Sequence, residues 1–188
     1  MRLSLAFVAL VFIVVAFAAA QQIRAMGQPP ESLSRSFVEN RASSIINPAI
    51  DMDGYRSVVN EAARHRASRR LTEEQFLEMS RDPATIVLDA RSRDMFALLH
   101  IEGATNLPFP DIAFVTLEKL IPDKATRILI YCNNNFQNNT TAFPSKAPPA
   151  SLNLVTYTAL YNYGYENVYE LGPLLDVHTT ILPLVSSE

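Results

Sequence analysis

Two short apolar runs, Ile86-Val87-Leu88 and Ile128-Leu129-Ile130, lie between segments of helical spacing. A strand that is apolar on both faces has to be covered on both faces. Chains that alternate such strands with helices build parallel sheets with a helical layer on each side. The punctuation agrees. Thr72-Glu73-Glu74-Gln75 is a capping box that opens a helix with Phe76, Leu77 and Met79 on its apolar side, and Asp82-Pro83 ends it. Residues 92–99 have helical spacing, residues 104–107 read as a brief strand stopped by Pro108, and residues 114–120 are helical. Residues 127–131 form the best strand of the chain and run directly into Cys132. An irregular stretch follows, 133–149, with five Asn and three Pro. A helix over 152–163 is closed by Gly164 as its C-cap, then comes a strand over 167–171, and the apolar tail from Gly172 packs back on the body. The fold class is α/β, a parallel sheet with helices on both faces.

The N-terminus is of another kind. Residues 3–20 are apolar apart from Ser4, follow a single cation, Arg2, and end in Ala18-Ala19-Ala20 before Gln21-Gln22. That is the order of a secretory signal with a small-residue cleavage site, so cleavage is expected after Ala20 and the protein is expected to be exported, periplasmic or secreted. A membrane partner follows only if the segment stays uncleaved, since it is just long enough to span. Residues 21–70 carry eight Arg against five acids, whereas residues 71–188 carry seven cations against fourteen acids. An acidic body with a short basic lead lacks the basic stripe of a nucleic-acid binder. The expected organisation is a signal over 1–20, a basic lead-in over 21–70 that is partly helical from about Tyr55, and a folded domain over 71–188 with an extended loop at 133–150. The cluster Arg64, Arg66, Arg69 and Arg70 is expected to be a solvated helix face that pairs with the acidic body.

Cys132 is the chain's one cysteine. It cannot form an internal disulfide or a multi-cysteine zinc site, and no metal or cofactor is expected. A lone thiol is ordinarily a small buried hydrophobe. In parallel sheets, however, ligand sites lie at the carboxyl ends of strands, and Cys132 stands there, before a loop and a helix.

The segments around it resemble the rhodanese-like family. Ile86-Val87-Leu88-Asp89-Ala90-Arg91 resembles that family's strand ending in Asp-x-Arg. His100-Ile101-Glu102-Gly103-Ala104-Thr105-Asn106-Leu107-Pro108 resembles its "His-Ile-x-Gly-Ala-x-Asn-x-Pro" stretch. Ile128 to Cys132 resembles the strand that delivers its cysteine, and Gly164-Tyr165-Glu166-Asn167-Val168 resembles its "Gly-aromatic-x-Asn-Val" element. The resemblance covers about residues 70–175 and implies the rhodanese-like fold. It also implies a sulfurtransferase in which Cys132 carries sulfane sulfur as a persulfide, with a small sulfur donor and a thiol or cyanide-like acceptor as partners. An inactive binding or scaffold protein with an unidentified protein partner, or a thiol redox sensor, are the alternatives.

The loop after the cysteine departs from the family pattern. Cys132-Asn133-Asn134-Asn135-Phe136-Gln137-Asn138 holds no Gly and no Arg, which disfavours a phosphatase and predicts weak binding of strongly anionic donors such as thiosulfate. Asn tolerates left-handed backbone better than most residues, so Asn133, Asn134 and Asn135 are expected to keep the shape of a cradle for the sulfur while adding side-chain amide donors. Phe136 and Phe143 either fold over Cys132 as a lid or anchor the insertion. Arg91 either brings charge to the site, with Asp89 accepting loop N–H groups, or pairs with Asp89 to pin the strand end. Lys146 is the candidate to replace the missing loop Arg. His100 is expected to cap a helix rather than to shuttle protons.

Overall fold

The computed structural model describes residues 47–187, so the expected signal and the lead-in up to residue 46 lie outside the described residues. The chain divides at Asp51, and the second unit, Met52–Glu188, is the folded domain. In the first unit, Asn47 makes a turn, its side-chain oxygen accepting from the Ala49 N–H at 3.0 Å.

The domain opens with α1 (Met52–Arg66), an edge strand β1 (Arg70–Leu71) and α2 (Glu73–Ser80). The capping box holds as expected. The Thr72 hydroxyl accepts from the Gln75 N–H at 3.3 Å, and the Gln75 side chain accepts from the Thr72 N–H at 2.9 Å. Next come β2 (Thr85–Asp89), α3 (Arg93–Leu98), β3 (His100–Ile101), β4 (Thr105–Asn106), α4 (Phe114–Leu120) and β5 (Arg127–Tyr131). A 3-10 turn at Asn133–Asn135 leads to β6 (Phe136–Gln137). The chain ends with α5 (Leu152–Asn162), β7 (Val168–Leu171), β8 (Leu175–Asp176) and β9 (Leu184–Val185).

Five strands form one sheet in the order β1-β7-β5-β2-β4, with every pairing parallel. The centre is β5, paired along its length with β2 from Thr85↔Arg127 to Asp89↔Tyr131. Its side chains alternate between faces, as a strand requires. Ile128 and Ile130 join Leu88, Val168, Leu117, Tyr157 and Leu160 in one buried cluster, which also takes Ala62 from α1. Leu129 and Tyr131 join Val87, Phe76, Ile101, Phe136, Phe143 and Leu182 on the other face. The tail packs back through β9, antiparallel to β3, and through β8, parallel to β6. Among the described residues no helix is long and apolar enough to cross a membrane.

The start of the domain needs correction. The expected lead-in to residue 70 holds α1 and half of β1, and these are integral to the fold. Glu170, buried in β7, is held by the Arg66 guanidinium, whose Nε donates at 2.7 Å, and by Arg70 Nε at 3.0 Å. His65 Nδ1 lies 2.8 Å from the Tyr157 hydroxyl of α5. A buried carboxylate without its cations would be costly, so the sheet needs the residues that precede Leu71. Arg66 and Arg70 thus pair with the acidic body, Arg66 from a half-buried position and Arg70 from an exposed one.

Gly164 ends α5 as expected, with φ of +84° and no atom within 4 Å of the place a Cβ would take. The penalty for a side chain there is conformational alone. Gly164→Ala is expected to lower stability by about 1 kcal/mol, read as a shift of the urea midpoint with an unchanged slope.

Candidate functional site

The site is built where β5 and β2 end side by side. Cys132 follows β5 and is fully buried. Its Sγ receives the Asn134 N–H at 3.4 Å and lies 3.4 Å from the Ser151 hydroxyl. Ser151 occupies the N-cap position of α5 yet makes no side-chain cap, so its hydroxyl serves the sulfur instead. The sulfur thus sits at the N-terminus of an 11-residue helix, where backbone N–H groups and the helix dipole favour negative charge.

The three asparagines act through their side chains. None of them has left-handed backbone. Among the described non-glycine residues that conformation falls on Asn138, with φ of 69°. Residues 133–135 make a tight turn in which the Asn135 N–H returns to the Cys132 carbonyl at 3.1 Å, while the Asn134 N–H serves the sulfur. The side chains act as pins. Asn135 Oδ1 accepts from the Cys132 N–H at 3.0 Å, and its Nδ2 donates to the carbonyls of Leu171 and Pro173 at 2.8 and 3.1 Å, joining the ends of β5 and β7. Asn134 exchanges two hydrogen bonds with the Lys146 backbone, at 2.8 and 3.1 Å. Asn133 Nδ2 donates to the Pro144 carbonyl.

Asp89 and Arg91 form a buried ion pair, with Nη2 to Oδ2 at 2.6 Å and Nε to both carboxylate oxygens at 3.0 Å. The remaining guanidinium donors go to the carbonyls of Ala142 (2.8 Å) and Leu99 (2.7 Å), and the plane lies 4.2 Å from the Phe143 ring centroid. Asp89 accepts one loop N–H, that of Arg91, at 2.9 Å. The pair pins the strand end, and Arg91 brings no free charge to the sulfur because Asp89 neutralises it. Phe136 and Phe143 are core residues with ring centroids 4.6 Å apart. They anchor the insertion on the sheet face opposite to α5 and do not fold over Cys132 as a lid. His100 Nδ1 lies 2.8 Å from the Phe96 carbonyl of α3, with its ring stacked on Phe96, in keeping with a capping role. Burial and the nearby Asp89 carboxylate push the Tyr131 phenol well up, so it stays protonated.

A cleft of about 500 Å³ lies beside the sulfur. Its walls are mostly apolar, with Met95, Pro108, Phe109 and Leu152 among them, and Asn133, Pro144 and Lys146 close one side. Lys146 is exposed there, and among the described residues its ammonium makes no ion pair. Cys132 itself does not line the cleft, whereas the next residue, Asn133, does. Ser151, the sulfur's side-chain neighbour, was missed by sequence reasoning. The signal available was its position just before a helical run.

A family model for the rhodanese-like domain matches residues 72–171. The chain belongs to the rhodanese-like domain family. Several solved structures are similar to this rhodanese-like domain. A thiosulfate sulfurtransferase from Pseudomonas aeruginosa is 20% identical, over 71% of this chain and 23% of that one, with a TM-score of 0.48. A rhodanese with anions from E. coli is 20% identical, over 54% of this chain and 98% of that one, with a TM-score of 0.38. The rhodanese-like domain of an Anabaena sp. protein is 23% identical, over 63% of this chain and 80% of that one, with a TM-score of 0.43. The chain thus spans under a quarter of the Pseudomonas protein. No curated protein matches the sequence.

Proposed function

We propose that this rhodanese-like domain is a sulfurtransferase that carries sulfane sulfur on Cys132. The observation that supports this reading is the placement of the sulfur at the carboxyl end of β5 and the N-terminus of α5, with an amide and a hydroxyl each 3.4 Å from Sγ. The thiolate is the nucleophile in such chemistry, and donors aimed at sulfur stabilise it. Its electron pair attacks the outer sulfur of the donor. A Cys–S–S bond forms as the donor's bond to that sulfur breaks, and the leaving group departs with the bonding pair. An acceptor thiolate or cyanide then attacks the outer sulfur, and the pair returns to Sγ. The expectation of export rests on residues 1–20 and belongs to the same proposal.

The cleft indicates the donor. Its apolar walls and the neutralised Arg91 suit an organic persulfide better than a small dianion. Benzyl hydropersulfide is expected to support sulfur transfer to cyanide at a higher kcat/KM than thiosulfate does. Equal or reversed values would remove the cleft from the account.

One observation favours a second reading, a binding module without turnover. The sulfur is fully enclosed, and the turn's amides beyond Asn134 satisfy their own carbonyls. The two readings part on whether Cys132 gains sulfur.

A further inference from the structure

The cleft and the sulfur share a wall. Pro144 and Lys146 line the cleft, and the segment they begin ends at Ser151, whose hydroxyl lies 3.4 Å from Sγ. Two asparagine side chains tie its beginning. Asn133 donates to the Pro144 carbonyl, and Asn134 pairs with both the N–H and the carbonyl of Lys146, as a neighbouring strand would. Beyond these ties the segment has little holding it. Its short turn at Pro148–Ala150 is bonded within itself, and its residues from Pro144 to Ala150 are exposed. Asn133 Oδ1, Asn153 Oδ1 and Thr156 Oγ1 are buried without hydrogen-bond partners. Asn133 belongs to the pinned turn around Cys132, and Asn153, in the first turn of α5, is tied to it because its amide donates to Asn135 Oδ1 at 3.0 Å. A buried polar atom without a partner disfavours the state that buries it. Closure is held mainly by the side-chain ties.

We infer that residues 144–150 are a gate over Cys132, hinged at Ser151, and that the Asn134 amide is its latch. In the closed state the sulfur is shielded from the cleft. Release of Lys146 from Asn134 lets the segment swing away and joins the cleft to the sulfur. This rests on the reading of Cys132 as the reacting sulfur and supplies its control, since a donor in the cleft meets the latch before it meets Sγ.

The gate can be tested without sulfur transfer. In the full chain under native conditions, iodoacetamide should alkylate Cys132 slowly, and Asn134→Ala should raise the rate by roughly tenfold or more, the size expected when two hydrogen bonds are lost. Amide hydrogen exchange distinguishes a gate from general loosening. In Asn134→Ala the N–H groups of Lys146 and Ala150 should exchange faster, while those of Ile128 and Ile130 in β5 keep their protection. An unchanged alkylation rate overturns the gate, and so does faster alkylation accompanied by loss of protection in β5. A protein that alkylates as predicted but never gains sulfur keeps the gate and loses the transferase.

Discussion

Asp89→Asn is expected to lower the unfolding free energy by about 3–5 kcal/mol, the cost of stranding one partner of a buried ion pair. Asp89 is fully buried, and Arg91 is 2% exposed. The substitution keeps the shape of the side chain and removes its charge, leaving a guanidinium sealed among Phe143, Tyr131 and two carbonyls. The aromatic faces compensate in part but supply no counter-charge. Adding Arg91→Met removes the stranded charge and should recover part of the loss, although the carbonyls of Ala142 and Leu99 then lose their donor. Urea denaturation of the two variants checks both statements. A loss below about 1 kcal/mol for Asp89→Asn would mean that water reaches the pair. The result bears on function because Arg91 ties the insertion, through Ala142, to the end of β2. The pair therefore holds one wall of the cleft and contributes no charge to the chemistry.

Most of the sheet was legible before the structure. The runs at 86–88 and 128–131 are strands, the capping box at Thr72 opens α2, and Gly164 closes α5, because each of these is decided by local chemistry. What escaped depends on contacts between distant residues. Residues 52–70 looked like a lead-in because their reason for folding, the buried Glu170, stands about a hundred positions away. The insertion hid its core in the same way. Phe136 and Phe143 read equally as a lid or as an anchor until Tyr131 and Arg91 were seen against them.

The site divides along the same line. Cys132 at a strand end was legible from its position alone. The asparagines were expected to keep the backbone's shape and to add amide donors, and their side chains pin Pro144, Lys146, Leu171 and Pro173. No propensity tells which carbonyl an amide will find. Ser151 was hidden for a related reason. A serine before a helix is ordinarily its cap, and here the hydroxyl turns to the sulfur.

The second large effect is that of removing the sulfur itself. Cys132→Ser keeps a hydroxyl in a buried place the size of the thiol, so folding should survive while a second-row nucleophile is lost. Transfer of sulfur to cyanide should fall to the uncatalysed rate. The most direct measurement is the intact mass of the full chain after brief exposure to benzyl hydropersulfide and removal of the excess. The account predicts a gain of one sulfur atom, located on the peptide containing Cys132, reversed by cyanide and absent in Cys132→Ser. A chain that gains no sulfur, or gains it equally in Cys132→Ser, would contradict the account.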